Sequence, residues 1–98
     1  MLLGKAHKLL EKGLYRDALA KALKAKNLKL DEQFEWLCYL IEGKARYHLG
    51  DEENALPALR RSLQILESRP DKEKALRSLQ NIIGDITSYI EKIEGSGD

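Results

Sequence analysis

Two histidines, one cysteine and a pair of adjacent carboxylates are the side chains with the greatest chemical reach in this 98-residue sequence. His7 and His48 lie far apart, and neither belongs to a spacing that sets two imidazoles on one metal, such as i and i+4 on a helix. Cys38 is the lone cysteine, so an internal disulfide and a cysteine-rich zinc site are both excluded. It sits in the apolar run WLCYLI, where burial leaves a thiol unreactive. Glu52 and Glu53 open a helical pattern, a place where acids complement the helix dipole and need no catalytic role. There is no glycine-rich phosphate loop. Catalysis requires reactive groups that converge, and nothing in this spacing converges. The expectation is a protein that is not an enzyme, with no catalytic residue, no metal ligand and no cofactor.

Charge carries the next signal. Residues 1–30 hold eight Lys/Arg against two acids, and the remainder hold nine against fourteen. Lys21, Lys24, Lys26 and Lys29 cluster around one segment, a stripe able to neutralise phosphates. Aromatic residues make up 6% of the chain, and only Tyr15 falls among those lysines, so base stacking has little support. Nucleic acid is the weakest of the candidate partners, behind a solvated basic face. The start MLLGKAHKLL is broken by charge and does not read as a secretory signal. WLCYLI is too short to cross a bilayer. These features read as a soluble cytoplasmic protein with no membrane association.

Five helical segments must position these residues. Leu2, Ala6, Leu9 and Leu10 mark the first, over residues 2–12. Tyr15, Ala18, Leu19, Ala22 and Leu23 mark the second, over 14–27. Asp31 is placed as the N-cap of a third running to Leu49. The fourth runs from about Glu53 to Ser68, and Pro57 inside it implies a late helix start or a slight kink. Pro70 and Asp71 open the fifth, which reaches about Glu94, with Gly95 as its stop and GSGD as a flexible tail. Gly84 sits inside the fifth segment, and the unbroken apolar seam across it predicts one continuous helix.

A period runs through this pattern. GLYRDALAKAL from Gly13 and GDEENALPAL from Gly50 are 37 residues apart, as are Ala18 and Ala55, and Leu19 and Leu56. Upstream, Leu3 matches Leu40, Ala6 matches Gly43 and Leu10 matches Tyr47. A fixed period of this size marks a helical array. Each unit is a first helix, a glycine turn and a second helix, with a small Ala where the helices approach. Gly43, Ala45, Tyr47, Gly50, Asp51, Ala55 and Leu56, echoed by Ala6, Gly13, Tyr15, Ala18 and Leu19, resemble the tetratricopeptide repeat. The period exceeds that family's usual length of about 34 residues, a difference assigned to the loops NLKLD and SRPD.

The resemblance implies an all-α fold: a right-handed stack of two antiparallel helix hairpins with a long C-terminal capping helix. Residues 1–94 would form one domain, with repeat one at about 1–30, repeat two at about 31–69 and the cap at about 71–94. It also implies a protein–protein interaction module whose first helices line a groove for a peptide or partner helix. At the observed period Leu3, Leu40 and Arg77 form one rung of that groove, His7, Lys44 and Asn81 a second, and Leu10, Tyr47 and Gly84 a third. Beside the last, Glu11 and Asp85 flank His48, an arrangement that would favour its charged form. The groove residues expected to contact a partner are Leu3, His7, Leu40, Lys44, Tyr47, His48, Arg77 and Asn81. Where some family members clamp a C-terminal carboxylate, this chain has Leu3, His7, Leu37 and Ile41, so that ligand is not implied. Phe34 and Trp36 are assigned to the core, with Trp36 as an anchor if exposed.

The fifth helix has a seam of its own. Leu76, Leu79, Ile83, Ile86, Ile90 and Ile93 alternate three- and four-residue steps. The seam either covers the open end of the stack or, through Ile83, Ile86, Ile90 and Ile93, pairs with a second copy. The second option defines an alternative function, a self-associating assembly module.

Overall fold

In the computed structural model the chain builds α1 (Leu2–Glu11), α2 (Tyr15–Lys26), α3 (Glu32–His48), α4 (Glu52–Glu67) and α5 (Leu76–Gly95). The structure describes the backbone of residues 2–28, 32–68 and 76–95, and the side chains of 3–28, 34–68 and 80–95. Asp31, Pro70 and Asp71 lie outside the described residues, as do residues 96–98 and the side chain of Arg77. All five described elements are helices. Consecutive helices pack on one another, and α1 also touches α3, so this is an all-α stack of two hairpins and a fifth helix.

The two hairpin turns are copies at the level of single hydrogen bonds. Gly13 donates to the Leu10 carbonyl and Leu14 to that of Leu9; Gly50 donates to Tyr47 and Asp51 to Arg46. Both are Schellman closures, which need a left-handed residue after the helix. Gly13 and Gly50 supply it at φ 81° and 86°. Beyond each turn the next helix starts alike, with Ala18 bonding back to Leu14 and Ala55 to Asp51. Ala18 and Ala55 are both fully buried. The 37-residue period is therefore a structural repeat of turn and packing.

Two cores result, and α3 serves both. Leu3 and Ala6 of α1, Ala18, Ala22 and Ala25 of α2, and Cys38 and Ile41 of α3 form the first. Leu40 of α3, Ala55, Leu59 and Leu66 of α4, and Ile86, Ile90 and Ile93 of α5 form the second. Leu37 packs against both. The alanine stripe of α2 lets the first core close at short range. Gly43 does the same for the second: a Cβ there would lie 2.6 Å from Leu59 Cγ and 3.2 Å from the Leu59 backbone nitrogen. Ser62, buried in α4, donates to the Trp36 carbonyl at 2.9 Å and fastens α4 to α3.

One expectation changes and one holds. Helix α4 begins at Glu52, with Asp51 as its N-cap, so Pro57 lies in the second turn and not at the edge of the first. It is tolerated because its ring faces solvent, where water can satisfy the Glu53 carbonyl left without an intrahelical donor. The fifth helix is continuous through Gly84, as the seam requires, and ends at Gly95 itself.

Candidate functional site

The side-by-side turns bring the start of α2 against the end of α3. Tyr15 is the first residue of α2 and His48 the last of α3, each two positions from its turn glycine. Their rings stack at 4.4 Å between centroids, tilted by 13°. From α5, Tyr89 meets His48 edge-on at 5.8 Å and Tyr47 edge-on at 5.2 Å. Tyr47 in turn meets His48 at 5.3 Å. His48 Nε2 and the Tyr89 hydroxyl are 3.0 Å apart, a hydrogen bond whose donor is set by the imidazole tautomer. Three of the chain's four tyrosines thus converge on one exposed histidine.

Cations surround this cluster. Lys44 Nζ and Lys92 Nζ each lie 5.4 Å from the Tyr89 ring centroid, within cation–π reach. Lys44 also pairs with Asp85. Cover by its neighbours, then Lys44 and Lys92, push the His48 imidazole below its ordinary pKa. The expected flanking acids are engaged elsewhere: Glu11 pairs with His7 at 3.3 Å, and Asp85 pairs with Lys44. The sequence-based expectation of a His48 held in its charged form is therefore reversed. Burial raises the Tyr89 phenol, with Asp85 adding to the shift.

The register of α5 against α3 differs from the sequence reading. A 37-residue step places Asn81 beside Lys44 and Asp85 beside His48. The contacts observed are Lys44 with Asp85 and His48 with Tyr89, each at a step of 41. The α4–α5 connection is thus longer than the α2–α3 connection by about one helical turn, and Tyr89 and Lys92 enter the site unforeseen. No sequence signal marked them, because Tyr15, Tyr47 and Tyr89 are widely dispersed along the chain.

The other assigned residues divide by burial. Leu3 is 1% exposed and Leu40 7%; both belong to the cores and offer a partner no surface. His7 is exposed on α1, Asn81 is exposed on α5, and Tyr47 is half-buried. Ile86, Ile90 and Ile93 are buried against α4 of the same chain, and Ile83 packs beside them. Among the described residues the isoleucine seam packs into the second core at the end of the stack. Phe34 packs against the first core and Trp36 against the second; Trp36 is no surface anchor, although its buried indole nitrogen has no hydrogen-bond partner.

Reactive groups elsewhere are held in structural roles. The Cys38 thiol is buried, donates to the Ala22 carbonyl at 3.2 Å, and is pushed up to about 11 by that burial. Glu42, buried on α3, accepts from Lys26 at 3.3 Å and from Arg46 at 3.2 Å. Arg46 continues to Asp51, which also accepts from Asn54; the Asn54 hydrogen bond is the main reason Asp51 titrates below the usual carboxylate range. Lys26 also lies over the Tyr39 ring. It is therefore tied down, and the basic stripe of α2 is reduced to Lys21 and Lys24 among the described residues.

Among the described residues, two of the surface clefts lie near these groups. One, of about 260 Å³, is lined by Lys26, Leu28, Glu35, Cys38 and Tyr39. The other, of about 350 Å³, lies at the turn end between residues 13–17 and Leu49. Its Leu14 and Leu49 are 47% and 38% exposed, and Tyr15 forms part of its wall. Among the described residues no helix is long and apolar enough to cross a membrane, and no group of three or more potential ligands could hold a metal ion. No protein-family profile, curated protein or solved structure matches the chain.

Proposed function

We propose that this chain is a tetratricopeptide-type interaction module. It holds another polypeptide on the face made by its first helices α1, α3 and α5, and performs no chemistry of its own. The observation that carries this reading is the duplicated hairpin, two Schellman turns at one period, with α5 packed on α4 after it. Such an array leaves one edge of every first helix uncovered, and extended or helical segments dock on surfaces of this kind. Here that edge carries Lys44, Tyr47, His48 and Asn81, with His7 on α1. The engaged Cys38 and the His7–Glu11 pair favour binding over catalysis.

The test is a double substitution, Lys44→Ala with Tyr47→Ala. A partner recovered with the wild-type chain by crosslinking at Lys44 should lose at least about tenfold in affinity, the loss of one anchor. A thermal melt of the variant separates lost contact from lost fold. Unchanged affinity in a folded variant rejects the groove.

A further inference from the structure

The turn-end cleft and the cation cluster are one continuous surface. Tyr15 lines the cleft and stacks on His48 at 4.4 Å. His48 meets Tyr89 at 5.8 Å, and Tyr89 lies 5.4 Å under Lys92. At one end of this path are exposed Leu14 and Leu49; at the other is Lys92, which has no acidic partner among the described residues. Arg16 and Asp17 on the cleft rim carry one charge of each sign, and Lys44 is already met by Asp85. The charge left uncompensated at this surface is positive, and it sits at the α5 end.

We propose that this surface is a two-part docking site for a short acidic–apolar segment of a partner polypeptide. One apolar side chain of the partner enters the cleft between Leu14 and Leu49, and a carboxylate reaches Lys92. This rests on the interaction-module reading and assigns it a place and a partner chemistry. The cleft, about 350 Å³, is at the lower end of the range for ligand pockets and suits one large apolar side chain. The three ring contacts that separate the two ends span at most about five residues of extended chain, so anchor and acid belong to one short motif.

The charge count selects this occupant over others. A nucleic-acid backbone brings a phosphate at every nucleotide and needs a run of cations, whereas the cations without an ion pair among the described residues here stand apart, Arg16 on the cleft rim beside Asp17 and Lys92 on α5. Its tyrosines also meet one another and His48 and are not free platforms for bases. A second copy would need a matching apolar surface. The only other exposed large apolar side chain among the described residues is Leu28, and the outer face of α5 is polar, with Asn81, Asp85, Ser88 and Glu91 exposed.

The test uses the full chain and a degenerate pool of short labelled peptides holding one leucine and, about five residues on, a pair of glutamates. Control pools carry glutamine for glutamate or serine for leucine, and a single-stranded RNA serves as the competing polyanion. Binding is read by fluorescence anisotropy and located by amide chemical shifts. The acidic–apolar pool should bind, shift Gly13, Leu14, Tyr15, Leu49 and Lys92, and weaken as salt rises. Lys92→Glu, and Leu14→Ser with Leu49→Ser, should each weaken it by at least about tenfold. These positions are exposed, and unchanged melting temperatures would confirm that the variants fold. No binding of the pool, equal binding of either control pool, or stronger binding of RNA overturns the proposal. Shifts at His7 and Asn81 without the cleft residues also overturn it but leave the groove reading standing, which the Lys44 and Tyr47 variant decides on its own.

Discussion

Glycine is used here in opposite ways, and substitution separates them. Gly43 is where α3 and α4 touch: a methyl group would fall 2.6 and 2.7 Å from Leu59 side-chain carbons. Leu59 is fully buried and cannot swing away. Gly43→Ala should therefore lose about 1–3 kcal/mol to overpacking, more than the roughly 1 kcal/mol that alanine gains in helix propensity. Gly84 lies inside α5 with nothing within 4 Å of its missing Cβ, so Gly84→Ala should raise stability by about 1 kcal/mol. Paired thermal melts, read in opposite directions, check both. His48 gives a pH prediction. Its folded pKa is depressed by cover from Tyr15, Tyr47 and Tyr89 and by Lys44 and Lys92. As pH falls from neutral through the ordinary histidine value, the unfolded chain takes up a proton that the folded chain refuses, and stability falls. The full loss is reached below the folded pKa. Asp51, also depressed, adds a loss only at more acidic pH. Melting temperatures from pH 7.5 to 5 should drop more for the wild type than for His48→Phe; equal slopes would reject this assignment.

At the scale of the helix, α4 shows how a local rule is relaxed. A proline in the second turn removes one backbone donor, yet here the ring is exposed and the neighbouring residues favour helix. Pro57→Ala restores the donor to the Glu53 carbonyl. The gain of up to about 3 kcal/mol in propensity is offset by roughly 0.4–1 kcal/mol from a looser unfolded chain. A net stabilisation of about 1–2 kcal/mol should appear as a higher denaturation midpoint with an unchanged denaturant slope. A lower midpoint would mean that Pro57 sets a bend the packing needs. Helix α5 was readable as continuous because its apolar steps cross Gly84 without a break. Its register against α3 was not, because the period of the first two units was extended to an element that follows a longer connection.

The whole molecule is bound by α3, which supplies one face to each core. Helix α5 closes the second core with Ile86, Ile90 and Ile93, each 8% exposed or less. Burying three isoleucines contributes about 5–9 kcal/mol, comparable to the entire net stability of a domain of this size. Removing residues 76–98 should therefore abolish cooperative unfolding and expose Leu59 and Leu66 to a hydrophobic dye. A sharp melt in the shortened chain would show that the hairpins stand alone. Composition, the glycine turns and the 37-residue period were enough to define an all-helical stack, its turn positions and its small-residue contacts. These are local properties: a left-handed turn needs glycine, and a close helix crossing needs alanine or glycine, wherever the chain then goes. Which exposed residues meet was not contained in the period. Leu3 and Leu40 went to the cores, the acids expected beside His48 found other cations, and Tyr89 and Lys92 came in from one turn further along α5. Those outcomes depend on how far one helix slides along another, and that distance is set by the packing of whole side-chain layers.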